Sequence, residues 1–184
     1  MTHPLMQRLH DDHRNFRQIL ELLVQEVDRL DALTEDERDL DLIAEVMQYM
    51  VHYADRFHHP LEDEVYELLA KHDRSDAIAQ LEREHVDLER LGEDLLQRAH
   101  FEISMAEGWD RFAADLRGYA SNLATHKDLE EEKVFPLAKV LLNAKDFDAI
   151  QGRFAWLDDP VFGGGMAQGY KVLGERLLRR AATD

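Results

Sequence analysis

The sequence predicts an all-α fold, an up-down-up-down four-helix bundle with an extra C-terminal short helix and a final amphipathic helix. Three observations carry this. Apolar residues recur at spacings of three and four through four successive segments. Only four prolines and nine glycines interrupt the 184 residues. Leu, Ala, Glu, Asp and Arg dominate, a composition suited to long helices. A chain of this length reads as one domain, 1–184, and buries about 70% of its unfolded surface. The bundle is expected over about residues 5–142, with an extension over 143–184.

The first stripe runs Leu9, His13, Phe16, Leu20, Leu23, Val27 and Leu30, with His13 counted as a member. The second begins at Thr34, where T-E-D-E fits a capping box with Glu37. It continues through Leu40, Ile43, Met47, Ala54, Phe57, Leu61, Val65 and Leu68. The third follows Ser75, a candidate N-cap, with Ile78, Leu81, His85, Leu88 and Leu95. The fourth gives Phe112, Leu116, Tyr119, Leu123, His126, Glu130, Val134, Leu137 and Leu141. Short connections then imply antiparallel neighbours. In the extension, 144–156 reads as a short helix, DDPVFGGG as a loop and 166–182 as an amphipathic helix, with a packing role expected for the whole.

The net charge is −17, with a sequence pI near 4.9. That balance opposes a nucleic-acid partner, which needs a basic face, and an anionic membrane surface. The absence of cysteine excludes disulfides, zinc fingers, thiolate-held iron–sulfur clusters and cysteine nucleophiles within this sequence. No signal peptide is visible and no apolar run reaches 18 residues, so a cytoplasmic protein is expected.

Histidines occupy the stripes where apolar side chains are expected, and Glu130 does the same one turn after His126. A carboxylate buried without a partner costs several kcal/mol or neutralises itself. The chain also repeats itself. HHPLEDEVYELLAK from His58 aligns with HKDLEEEKVFPLAK from His126, matching Glu62 to Glu130 and Asp63 to Glu131. LHDDHRNF aligns more faintly with LEREHVDL, matching His13 to His85. Each half thus carries one histidine and then His-x-x-x-Glu. The i, i+4 spacing puts imidazole and carboxylate on one helix face, about 6 Å of rise apart. Six candidate ligands follow: His13, His58, Glu62, His85, His126 and Glu130. Nitrogen and oxygen donors of this kind suit iron, manganese or zinc.

These residues resemble the hemerythrin-like, or HHE cation-binding, family. The resemblance covers roughly residues 5–142 and rests on His13, HHPLED, the third-helix EH and HKDLEEEKVFP. It implies a four-helix bundle around a non-haem di-iron site, with the glutamates bridging two oxo- or hydroxo-linked irons and the histidines capping them. Oxygen-carrying hemerythrins have H-x-x-x-H on the third helix and H-x-x-x-x-D on the fourth; here the third helix offers only His85, with Leu81 before it. The four-histidine, two-glutamate set is more similar to a bacterial di-iron branch associated with nitric oxide reduction and iron–sulfur repair. Those repair proteins usually carry a cysteine-containing N-terminal segment, which is not present in this sequence.

The resemblance implies a protein that binds, reduces or senses oxygen, nitric oxide or peroxide; as an enzyme it would be a di-iron oxidoreductase drawing on an electron donor. The alternatives are a non-catalytic module that stores or donates iron and a reversible oxygen binder. A ferritin-like oxidase would want E-x-x-H on two helices, and only Glu82 to His85 supplies it. A zinc hydrolase would want H-E-x-x-H, which does not occur. His58 is preferred to His59 because its partner Glu62 has a match in the repeat; His59 points about 100° round the helix. Whether Pro60 bends the helix enough to exchange them stays open. Glu89, Glu131 and Glu132 read as solvated, and Tyr66 and Tyr119 as core packing. His3, His10, His52, His72 and His100 read as surface or terminal residues.

Overall fold

The computed structural model describes residues 3–72, 75–101, 108–154, 157–165 and 167–181. Helix α1, Pro4–Asp31, starts with a proline where no amide partner is needed, and the His3 ring accepts from the Leu5 amide at 3.2 Å. The Thr34–Glu37 capping box forms, but it closes a single 3₁₀ turn, Glu35–Glu37. Helix α2 (41–69) starts later than the box implies, at Asp41. Helix α3, Asp76–Phe101, is entered through Ser75, whose Oγ accepts from the Ile78 amide at 3.4 Å. Helix α4 (109–141) follows Gly108, whose φ of 90° favours glycine. Asn143 and Asp146 form the box that opens the short α5, Ala144–Gln151, and α6 is Lys171–Ala181. Residues 155–156, 166 and 182, at the ends of the expected tail helices, lie outside the described residues.

Helices α1 to α4 form a ring in which α1 packs on α2 and α4, and α3 packs on the same two. Two of the four change pitch. In α2 the α-helical turns of Asp41–Tyr49 give way to a π-helix, Met50–His58, before α-geometry resumes over His59–Leu69. In α4 a π-helix, Glu130–Val134, separates Trp109–Leu129 from Phe135–Leu141. Each wide stretch ends just before a proline, Pro60 or Pro136. Proline removes an amide donor and crowds the carbonyl four residues back. The preceding amides reach five residues instead, His59 to Ala54 and Phe135 to Glu130. The wide turns change which side chains face inward.

The interior is not one apolar mass. One cluster includes Phe16, Leu23, Met47, Leu95, Phe112 and Leu116; the other includes Leu9, Val65, Tyr66, Leu81, Val134 and Phe135. Between them lies a buried polar layer holding His13, His58, His59, Glu62, His85, His126 and Glu130. The extension packs as expected: Val161, Tyr170 and Leu173 join the first cluster, and α6 lies on α2. Its loop is tied to the bundle by Asp159, which accepts from Tyr49 Oη at 2.8 Å and Asn15 Nδ2 at 3.2 Å. No helix among the described residues is long and apolar enough to cross a membrane.

The loop turn needs a glycine at 163, where an added Cβ would sit 2.5 Å from the Asp159 carbonyl oxygen. Gly163→Ala is expected to destabilise the protein by about 1–3 kcal/mol, the usual cost of forcing atoms into packed space. Chemical denaturation should show a lowered midpoint; an unchanged midpoint would contradict this packing.

Candidate metal centre

Seven side chains from four helices meet in the polar layer. Six of them fall into two groups: His13, His58 and Glu62 in one, and His59, Glu62, His85 and His126 in the other, with ligand atoms within 4.8 Å of one another in each. Glu62 belongs to both. Its Oε1 lies 3.2 Å from His13 Nε2 and 3.1 Å from His58 Nε2, while its Oε2 faces His85 Nε2 at 3.6 Å. Glu130 is split the same way. Its Oε2 lies 3.3 Å from His13 Nε2, and its Oε1 lies 3.3 Å from His126 Nε2 and 3.8 Å from His85 Nε2. Each carboxylate therefore turns one oxygen toward the histidines of each group.

The rings are held from behind. His58 Nδ1 donates to Asp12 at 3.0 Å, His126 Nδ1 to Glu84 at 2.9 Å, His85 Nδ1 to Asp63 at 2.8 Å and His13 Nδ1 to Glu131 at 3.1 Å. A carboxylate on Nδ1 fixes the tautomer, aims Nε2 at the centre and raises its basicity. These partners follow the internal repeat. Asp12 precedes His13 as Glu84 precedes His85, and Asp63 follows Glu62 as Glu131 follows Glu130. The duplication thus includes the residues that orient the rings. Glu131, read from sequence as merely solvated, is one of them.

His59 breaks the symmetry. Its counterpart in the repeat is Lys127, which turns away and donates to the His13 carbonyl at 3.4 Å. His59 is buried, stacks on His85 with ring centroids 4.3 Å apart, and has Nδ1 3.2 Å from Asp55 Oδ1. The wide turns ahead of Pro60 bring both histidines inward, so the choice between them does not arise. The sequence signal was present in Pro60 itself and in Asp55, four residues before His59. Tyr66 was also read as packing, yet its hydroxyl donates to Glu130 Oε1 and its ring stacks on His85. Tyr119 is buried beside Asp55, while Glu89, His52, His72 and His100 are exposed.

The donor set fits a metal. His13, His58, His85 and His126 Nε2, both oxygens of Glu62 and Oε2 of Glu130 are buried without hydrogen-bond partners. Buried polar atoms are ordinarily paired, and here they all point at one small volume. Without a cation, protons must do its work. Burial opposes charge on His13, His58, His85 and His126, but the surrounding carboxylates outweigh it and hold all four above the usual imidazole range. His85 is pushed up to about 12. Burial likewise opposes ionised Glu62 and Glu130, yet the facing histidines hold both well below the usual carboxylate range. His59 differs: burial, then the neighbouring His85, drives it well below 6.5.

A family description, hemerythrin HHE cation-binding domain, matches residues 5–138. Comparison with curated proteins and with solved structures gave no match.

A pH dependence follows. Raised imidazole values stabilise the metal-free fold below their unfolded value of 6.5, and that contribution is lost as pH rises through the folded values. The depressed glutamates contribute above 4.5 and lose their contribution as pH falls. Chelator-treated protein should be most stable in the mildly acidic window between these values. Metal must displace the imidazole protons, so metal retention should instead weaken as pH falls. Thermal melts and metal retention measured across pH test both; stripped protein that gains stability steadily into alkaline pH would contradict the first.

Proposed function

The chain belongs to the hemerythrin HHE cation-binding family, and on that premise we propose that it holds a carboxylate-bridged pair of iron ions that bind and reduce, or sense, oxygen, nitric oxide or peroxide. The observation that supports a pair is the division of Glu62 and Glu130, each with one oxygen toward each histidine group. A donor set of imidazole nitrogens and carboxylate oxygens suits iron ahead of softer metals. When bound, the irons supply a ferrous–ferric couple and open coordination positions.

The residues define what can happen there. His59, His85 and His126 offer three imidazoles to one position, while His13 and His58 offer two to the other. The position at His13 and His58 therefore has one imidazole fewer, and on this reading it is where a small molecule would be taken up. Tyr66 keeps its proton, because burial and then the charges of Glu130 and Glu62 raise its phenol well above the usual range. It holds that proton beside Glu130 Oε1. Phe16 and Phe135 flank the His58 and His13 rings and exclude water from that side. Turnover requires an electron donor, which we assign as a partner. Complete burial of the candidate ligands favours a second reading, reversible gas binding without turnover.

Purified protein should contain about two irons per chain and show absorption from carboxylate- and oxygen-bridged ferric ions. Replacing Glu62 and Glu130 together by Ala should abolish both. Protein that never takes up metal, or a double variant that keeps it, would overturn the reading. Mixing the reduced protein with oxygen, nitric oxide or peroxide then separates carriage, seen as one reversible adduct, from repeated turnover.

A further inference from the structure

Four carboxylates hold the repeat-related histidines, and one of them is unlike the others. Side chains of Glu84, Asp63 and Glu131 are 35%, 50% and 34% exposed, so water screens their charge; Asp12 is only 5% exposed. Asp12 is met instead by a buried guanidinium. Arg8 Nε lies 3.8 Å from Asp12 Oδ2, the same oxygen that accepts from His58 Nδ1 at 3.0 Å. Arg8 Nη2 donates to Tyr53 Oη at 3.0 Å, and Tyr53 Oη donates to Asp12 Oδ1 at 3.1 Å. The guanidinium carbon lies over the Phe57 ring, 4.5 Å from its centroid.

The remaining contact reaches far along the chain. Arg8 Nη2 also donates to the carbonyl of Leu157, in the loop before the tail helix. Leu157 lies beyond residues 5–138, the part that matches the family. The adjoining Asp159 is fastened to Tyr49, whose ring stacks on Tyr53 at 5.4 Å. A cleft of about 370 Å³ between this loop and α1 is lined by Arg8, Asp12, Tyr53, Leu157 and Asp159. The C-terminal loop thus roofs the group behind one site histidine.

We propose that Arg8 is a positioning residue for His58, seated by the C-terminal loop, and that through Asp12 it makes the metal position at His58 the more electron-poor of the two. A carboxylate on Nδ1 pushes electron density toward Nε2, and a guanidinium that is itself nine-tenths buried draws that density back. Glu131 also has a buried cation near it, Lys127, but Glu131 is one-third exposed and Lys127 donates to the His13 carbonyl rather than to that carboxylate. The inequivalence of the two positions is then set partly by a segment outside residues 5–138, the part that matches the family.

The inference rests on the metal-pair reading, and its test separates the two. Midpoint potential and absorption spectrum of metal-loaded protein are compared for wild type, Arg8→Met, Arg8→Lys and Gly163→Ala. Arg8→Met should shift the potential negative and alter the spectrum at unchanged metal content. Arg8→Lys, keeping the charge but losing the fork, should fall between it and wild type. Gly163→Ala, which displaces the loop, should shift the potential in the same direction by less. Wild-type protein without metal overturns the pair and this inference together. Loaded wild type and Arg8→Met with equal potentials and spectra overturn this inference alone, even where Arg8→Met melts earlier, because that is the signature of a packing brace. Where Arg8→Met fails to fold, Arg8→Lys and Gly163→Ala decide by the same criterion.

Discussion

Two fully buried carboxylates in the middle of an apolar bundle are the constraint on which the rest of this structure depends. Glu62 and Glu130 are each 0% exposed. A buried carboxylate is costly by several kcal/mol unless a cation or hydrogen-bond donors meet it. The fold answers with histidines from all four helices, and then with a second ring of carboxylates that orient those histidines. The same demand divides the apolar interior into two clusters, one at each end of the polar layer. Stability is left to the ends, and chemistry to the middle.

Duplication explains most of the site, and its failure explains the rest. Each half supplies a histidine, a His-x-x-x-Glu and two orienting acids at matching places. A strict twofold site would offer two equal metal positions. His59 on one side, and the buried Arg8–Asp12 pair on the other, break that symmetry in the side chains.

How much of this was legible depends on the distance over which each feature is decided. The four apolar stripes and the i, i+4 pairs are local, so sequence periodicity exposed them, and all six candidate ligands meet in the centre. Glu131, Glu84 and Asp63 look like ordinary solvated acids, since each holds a ring on another helix. Their partners lie 118, 42 and 22 residues away, and no pattern within one helix marks them. Tyr66 was hidden for the same reason, its acceptor being 64 residues distant. Thr34 misled in the other direction, because a capping box closes one 3₁₀ turn as readily as it opens a helix.

The pair at His58 and His59 marks the boundary between the two kinds of information. By itself the sequence determined the bundle, the duplicated His-x-x-x-Glu and the need for a cation, because periodicity and charge burial are properties of a single helix face. Only the tertiary structure decided that both adjacent histidines turn inward. A uniform α-helix separates neighbours by about 100°, and a π-turn alters that phase. The turn's place depends on the proline behind it, and it is held by the packing of α2 against α3.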